Sequence, residues 1–139
     1  MSDRPDSIPP EMLALLGRTD DERRSVCFFS EVLRFAERAG MADSQIYNAI
    51  GMNRSLWYRM RDNADARTKK SNVLKLAIVL RLSFWEAYYL IALAGYSFLP
   101  GVDRTDEIIA RCLFEMTYDP ASIDEMLVDG GCEALFSEE

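Results

Sequence analysis

Histidine is absent from this 139-residue chain. Histidine is the usual general base at neutral pH, the usual partner of a nucleophilic serine or cysteine, and a common zinc ligand. The chain also has no glycine-rich phosphate-binding loop and no cluster with metal-ligand spacing. The acidic group Asp103, Asp106 and Glu107 is better explained by charge at a helix N-terminus than by metal binding. We therefore expect no catalytic residue, no metal site and no cofactor, and predict that the protein is not an enzyme.

Cysteine and long apolar runs are scarce as well. The three cysteines, Cys27, Cys112 and Cys132, are odd in number and far apart in sequence, which argues against a disulfide framework and against a Cys-x-x-Cys zinc site. No apolar run approaches the roughly 18 residues that span a bilayer. The first residues, MSDRPDSIPPEML, lack the basic start and apolar stretch of a secretory signal. We expect a cytoplasmic protein with no membrane partner.

The net charge of −7 is distributed unevenly along the chain. Residues 1–53 carry 6 basic and 9 acidic groups, and residues 82–139 carry 2 basic and 12 acidic groups. Between them, residues 54–81 carry 8 basic and 2 acidic groups, a net charge of +6. The total charge argues against a nucleic-acid partner, but residues 54–81, hereafter the basic segment, have the opposite sign.

The spacing of apolar residues predicts an all-α fold. Val26, Phe29, Leu33 and Ala36 recur at helical spacing, so a helix is expected from a cap at Thr19 or Asp20 to Gly40. Capping residues, prolines and glycines delimit the others. Further helices are predicted from Asp43 or Ser44 to near Ile50, from Asn53 to about Asp62, from a Ser71 cap through VLKLAIVLRL, from Ser83 to Ala94, from Asp103 or Thr105 to about Met116, and from Asp119-Pro120 to Gly130-Gly131. The tail CEALFSEE is expected to be loose.

Two of these helices meet at a glycine in the segment SQIYNAIGMNRSLWYRMR. Gly51 suits a sharp turn between helices, because glycine accepts backbone angles that other residues avoid. Five apolar side chains of the segment can face one core: Ile46, Ile50, Met52, Trp57 and Met60. The outer face of the second helix then shows Asn53, Arg54, Ser55, Tyr58 and Arg59. The pattern indicates a helix-turn-helix, and an ordinary helical hairpin is the alternative.

With these residues in place, the segment resembles the Xre (lambda-repressor-like) helix-turn-helix family over about residues 28–96. Every position that the family buries is apolar here, and the next two helices look like its fourth and fifth. The resemblance implies an all-α, lambda-repressor-like five-helix helix-turn-helix core. We expect a flexible N-terminal arm with a short helix (residues 1–19), the helix-turn-helix domain (20–98) and a C-terminal helical extension (99–139). The sequence AGY after the fifth helix and the acidic tail also look like helical domains attached to bacterial macro-domain and other defence-associated proteins.

The resemblance implies a sequence-specific DNA-binding transcriptional regulator. The positions that the family aims at base edges are Asn53, Arg54, Ser55, Tyr58 and Arg59, and arginine is the best matched donor for guanine. Five further cations are expected to contact phosphates: Arg61, Arg67, Lys69, Lys70 and Lys75. The alternative for these residues is a solvated helix face and a charged loop.

The expected partners are double-stranded DNA and a second copy of the chain. Six aromatic residues lie within residues 84–98, and core packing is their default interpretation. Five of them fall within residues 84–96, more than one helix face can bury, so some are expected at a subunit interface. The six are Phe84, Trp85, Tyr88, Tyr89, Tyr96 and Phe98. The helices over about residues 105–129 are the expected dimerisation surface. The alternative function is a non-enzymatic adaptor that binds another protein without DNA affinity, which the net charge of −7 and the bulky Tyr47 favour.

Overall fold

A computed structural model describes residues 27–63 and 66–137, and over these residues the chain forms seven α-helices and no strand. The all-α prediction is therefore confirmed for this part of the chain. In order, the helices are α1 (Phe28–Ala39), α2 (Asp43–Ala49), α3 (Arg54–Asp62), α4 (Lys70–Val79), α5 (Phe84–Leu93), α6 (Arg104–Phe114) and α7 (Pro120–Asp129). Within the same residues, no helix has both the length and the apolarity needed to cross a membrane.

One hydrophobic core joins the helices. Trp57, Leu76, Ile91, Ile109 and Leu127 come from α3 to α7 in turn, and each is fully buried in the same cluster. Helix α1 packs on α3 and α5, α2 packs on α3 and α4, and α4 packs on α5. Helix α6 packs on α5 and α7. The two helices of the extension therefore share their core with the first five.

The α1–α5 contact is fixed by buried carboxylates. Arg38 on α1 pairs with both oxygens of Glu86 on α5, with 2.9 Å between Nη2 and Oε1. Glu86 Oε1 also accepts the backbone N–H of Ser83, which completes the predicted capping box. Burial raises the pKa of Glu86, but Arg38 and the Ser83 N–H outweigh this and leave the pKa below its ordinary value. Tyr89 makes a second link by donating to Glu31 Oε1 at 2.9 Å.

Two helix starts differ from the prediction. Helix α1 begins at Phe28, because Cys27 has extended backbone and Ser30 Oγ accepts its N–H at 3.0 Å. The predicted caps at Thr19 and Asp20, like Val26 and the arm 1–19, lie outside the described residues. Helix α4 begins at Lys70, so Ser71 lies in its first turn and is not its cap. The other capping predictions hold, as Asn53, Ser83, Asp103 and Asp119 each accept a backbone N–H of the following helix.

The prediction of a loose tail is wrong for residues 132–137. The Asp124 carboxylate on α7 accepts the backbone N–H groups of Leu135 at 2.7 Å, Phe136 at 2.9 Å and Ser137 at 2.8 Å. It also accepts the Ser137 hydroxyl at 2.8 Å. Leu135 is buried in the core cluster. The tail is thus held by one buried side chain.

Candidate nucleic-acid interface

The turn between α2 and α3 is built around Gly51. Its φ of +71° lies in the left-handed region that favours glycine. The Met52 N–H then donates to the Tyr47 carbonyl at 2.8 Å, and Lys75 Nζ on α4 donates to the Ile50 carbonyl at 3.1 Å. The helices therefore meet at a defined angle, with the end of α2 held by α4.

The five apolar residues of this segment are buried, as the sequence predicts. These residues are Ile46, Ile50, Met52, Trp57 and Met60. Trp57 is fully buried, and its ring lies edge-on to Phe29 of α1 with 4.8 Å between ring centroids. Because α3 turns this face inward, its opposite face is available to a partner.

The outer face of α3 carries the predicted base-contacting residues. Asn53, Arg54, Ser55 and Arg59 are exposed, and Tyr58 is partly buried. Asn53 also caps the start of α3, since its Oδ1 accepts the Leu56 N–H at 2.7 Å. This hydrogen bond uses the amide oxygen of Asn53 and leaves its two N–H donors for a ligand.

Two guanidinium groups lie close to the Tyr58 ring. The Arg54 and Arg61 guanidinium carbons are 5.6 Å and 5.9 Å from the centroid of that ring. The Tyr47 ring of α2 lies at a steep angle to the Tyr58 ring at 6.5 Å. These contacts restrict Tyr58, so that two arginines are gathered at one surface of α3.

The five predicted phosphate-contacting cations fall into two groups. Three are engaged within the chain: Arg61 pairs with Asp43 at 2.7 Å, Lys70 pairs with the buried Asp106 at 2.9 Å, and Lys75 holds the Ile50 carbonyl. Arg67 and Lys69 are exposed and form no ion pair with the described residues. The Arg67 side chain lies against Gly95. A Cβ added to that glycine would be 3.3 Å from Arg67 Nη1.

Sequence reasoning missed the two acidic partners of these cations. Asp43 is recognisable as the start of α2, but its pairing with Arg61 joins residues 18 apart. Asp106 lies in the first turn of α6, as the sequence predicts, but its side chain is buried and only 1% exposed. Its Oδ2 accepts both Lys70 Nζ and the Leu99 N–H at 2.9 Å. No local signal marks either pairing, because each depends on how separate helices pack.

Comparison of the chain with protein-family models, curated proteins and solved structures finds no match. The likeness to the Xre family therefore rests on the motif itself. In residues 27–63 and 66–137, no group of three or more cysteine, aspartate or glutamate side chains is arranged to hold a metal ion. The function is accordingly argued from the exposed face of α3 and its charges.

Proposed function

We propose that this protein is a sequence-specific DNA-binding transcriptional regulator, with α1–α5 as an Xre-like core and α3 as the reading helix. The observation that carries the proposal is the exposed polar face of α3, which lies within the only basic segment of an acidic chain. One face of α3 is anchored by Trp57 and Met60, and the other offers Arg54 and Arg59 to solvent.

The geometry suits entry into the major groove. In helix-turn-helix proteins, the N-terminal residues of the second helix contact base edges. Arg54 is the first residue of α3, and Ser55 follows it. Arg59 lies further along the same helix, where its five N–H donors suit guanine or phosphate. We therefore assign base reading to the first two turns of α3.

The charge distribution favours an anionic partner for this face and for no other part of the chain. The basic segment carries a net +6, and residues 82–139 carry a net −10. Arg67 and Lys69 are the exposed cations best placed to anchor phosphates, since Lys70 and Lys75 hold contacts within the chain. The acidic extension is expected to keep the rest of the molecule away from the duplex and to suppress weak, non-specific binding.

The test is selection of duplexes from a random DNA pool with the full chain, followed by affinity measurements at two salt concentrations. A regulator should enrich a recurrent sequence, and its affinity should fall steeply with salt because bound phosphates release counterions. If no sequence is enriched and no duplex binds even at low salt, the proposal is overturned.

A second candidate is an adaptor that binds a protein through the same helices. The engagement of Arg61, Lys70 and Lys75 within the chain favours it, because these cations have carboxylate or carbonyl partners already. The same selection separates the two functions, since an adaptor enriches no duplex.

A further inference from the structure

An exposed group of aromatic rings lies where α5 meets α6. Phe84, Trp85, Tyr88 and Phe114, hereafter the aromatic face, form one connected set. The Phe84 and Phe114 rings are stacked, with centroids 4.6 Å apart and an interplanar angle of 15°. Trp85 and Tyr88 surround Phe84 with centroids at 5.2 Å and 6.3 Å. The buried Phe98 lies beneath at 5.8 Å and joins the face to the core.

The outer members of this face are open to solvent. Phe114 is 67% exposed and Tyr88 is 42% exposed, whereas large apolar side chains usually lose most of their exposed area on folding. Rings that are held in place by stacking lose little conformational entropy when a partner covers them. Aromatic residues are also enriched at protein interfaces. A packed but uncovered aromatic surface is therefore typical of a contact site.

Two charges at the C-terminal end of α6 indicate which partner covers the aromatic face. Arg111 and Glu115 are exposed, lie one helical turn apart and flank Phe114, and neither forms an ion pair with the described residues. When two copies of α6 cross antiparallel at Phe114, Arg111 of each copy faces Glu115 of the other. A two-fold axis makes both pairs at once, because such an interface uses the same surface of both copies. A partner surface that carried only positive or only negative charge would instead place a like charge opposite either Arg111 or Glu115.

We propose that the aromatic face and its two flanking charges bind a second copy of this chain about a two-fold axis near Phe114. The inference deepens the homodimer expected of the proposed regulator by naming its surface. Its test contains no DNA, so that failure of the dimer and failure of DNA binding are separate results.

The first experiment is sedimentation equilibrium of the full chain over a range of concentrations. The wild-type protein should reach twice the 15.9 kDa of one chain. Phe114→Glu should weaken association at least about 30-fold, because it places a charge at the centre of the contact. The substituted side chain is largely exposed, so circular dichroism should show unchanged helix content.

Val128→Glu is the matched control, because Val128 is also apolar and 57% exposed. Val128 lies on α7, two residues before Gly130, whose carbonyl accepts the Nε–H of Arg104 at the start of α6. This variant should associate like the wild type. A monomer at every concentration would overturn the proposal and leave the face to another protein or to residues 1–26. Equal association of Phe114→Glu and wild type, or growth beyond a dimer, would also overturn it.

Charge reversal provides a second test of the two-fold geometry. Arg111→Glu alone and Glu115→Arg alone should each weaken association about tenfold, because each sets like charges opposite one another. An equimolar mixture of the two variants should recover association as a mixed dimer, since one copy then carries two acids and the other two bases. Within each variant chain, residues 111 and 115 still have the same charge in the mixture. Recovered association therefore reports only the contact between the two chains. If the mixture associates no better than the separate variants, the pairing is wrong.

Discussion

Asn53 combines a role in folding with a role in the proposed recognition. Its Oδ1 caps α3 by accepting the Leu56 N–H, and the amide N–H groups of this exposed residue are left for a ligand. A substitution that keeps the cap oxygen and removes the donors can separate these roles. Aspartate does this, and its charge also suits a helix N-terminus.

We predict that Asn53→Asp leaves the free energy of unfolding within about 0.5 kcal/mol of wild type. Its affinity for a selected duplex should fall at least about tenfold, because it loses two donors and repels phosphate. The measurements are urea unfolding and fluorescence anisotropy. Asn53→Ala is the comparison, which should cost about 1 kcal/mol through loss of the cap. An Asn53→Asp variant that binds DNA as well as wild type would exclude the residue from the contact.

Asp124 is the residue that decides the course of the tail. Burial raises its pKa, but the N–H groups of Phe136, Leu135 and Ser137 and the Ser137 hydroxyl outweigh this, and the pKa lies below its ordinary value. A carboxyl whose pKa is lower in the folded than in the unfolded chain adds stability above the unfolded pKa. That stability disappears as the pH falls through the folded pKa.

Asp124→Asn should therefore lower the free energy of unfolding at pH 7 by about 1–2 kcal/mol, because its amide meets N–H donors. The difference from wild type should shrink as the pH falls below about 4, because the carboxyl is then protonated in the unfolded chain before it is protonated in the folded chain. Urea unfolding at pH 7 and pH 3 tests this, with Glu125→Gln, an exposed acid of the same helix, as the control. A difference that is the same at both pH values would show that the carboxylate charge is not what holds the tail.

At the level of elements, the α2–α3 turn requires glycine at position 51 because of the backbone angle there and not because a side chain would lack room. Gly51 has a φ of +71°, and a Cβ added there would meet nothing within 4 Å. Gly51→Ala should thus cost about 1 kcal/mol of unfolding free energy through backbone strain alone. Gly101 also has open space around it but no positive φ, so Gly101→Ala should change stability by less than about 0.5 kcal/mol. Equal effects of the two substitutions in urea unfolding would contradict the role of the angle.

The helices that sequence predicts best are those whose ends are set locally. Asn53, Ser83 and Asp119 each cap a helix within three residues, so their effect can be read without the rest of the fold. The start of α4 has no such local signal, because its N-cap, Lys69, makes no side-chain cap hydrogen bond, and Lys70 pairs with Asp106, 36 residues away. The buried residues of the α2–α3 segment were predictable from the spacing of its apolar residues. The engagement of Arg61 and Lys75 was not, since their partners lie on other helices.

At the level of the whole molecule, the basic segment and the acidic extension contribute to the same hydrophobic core. Ile109 of the acidic extension is fully buried in the same cluster as Trp57 of α3. The Lys70–Asp106 pair also joins the basic segment to the extension. We therefore expect the extension to stabilise helices α1–α5 directly.

Ile109→Ala should lower the free energy of unfolding by about 2–5 kcal/mol, as expected for a cavity in a core. Tryptophan fluorescence and circular dichroism should still give one coincident unfolding transition in urea. The two probes are distinct, because Trp57 and Trp85 lie in α3 and α5 and every helix contributes to the dichroism. Fluorescence that keeps its wild-type midpoint while the dichroism shifts would show that the extension folds separately.

The most direct test of the central claim is the affinity of Arg54→Ala, Arg59→Ala and Arg104→Ala for the selected duplex at one salt concentration. Arg104 is exposed on α6 outside the basic segment, so its removal changes the net charge equally. We predict that each α3 substitution weakens binding about 5- to 150-fold and that Arg104→Ala has little effect. Equal losses of affinity in all three variants would show that α3 contributes only its net charge. Wild-type affinity in both α3 variants would contradict the account.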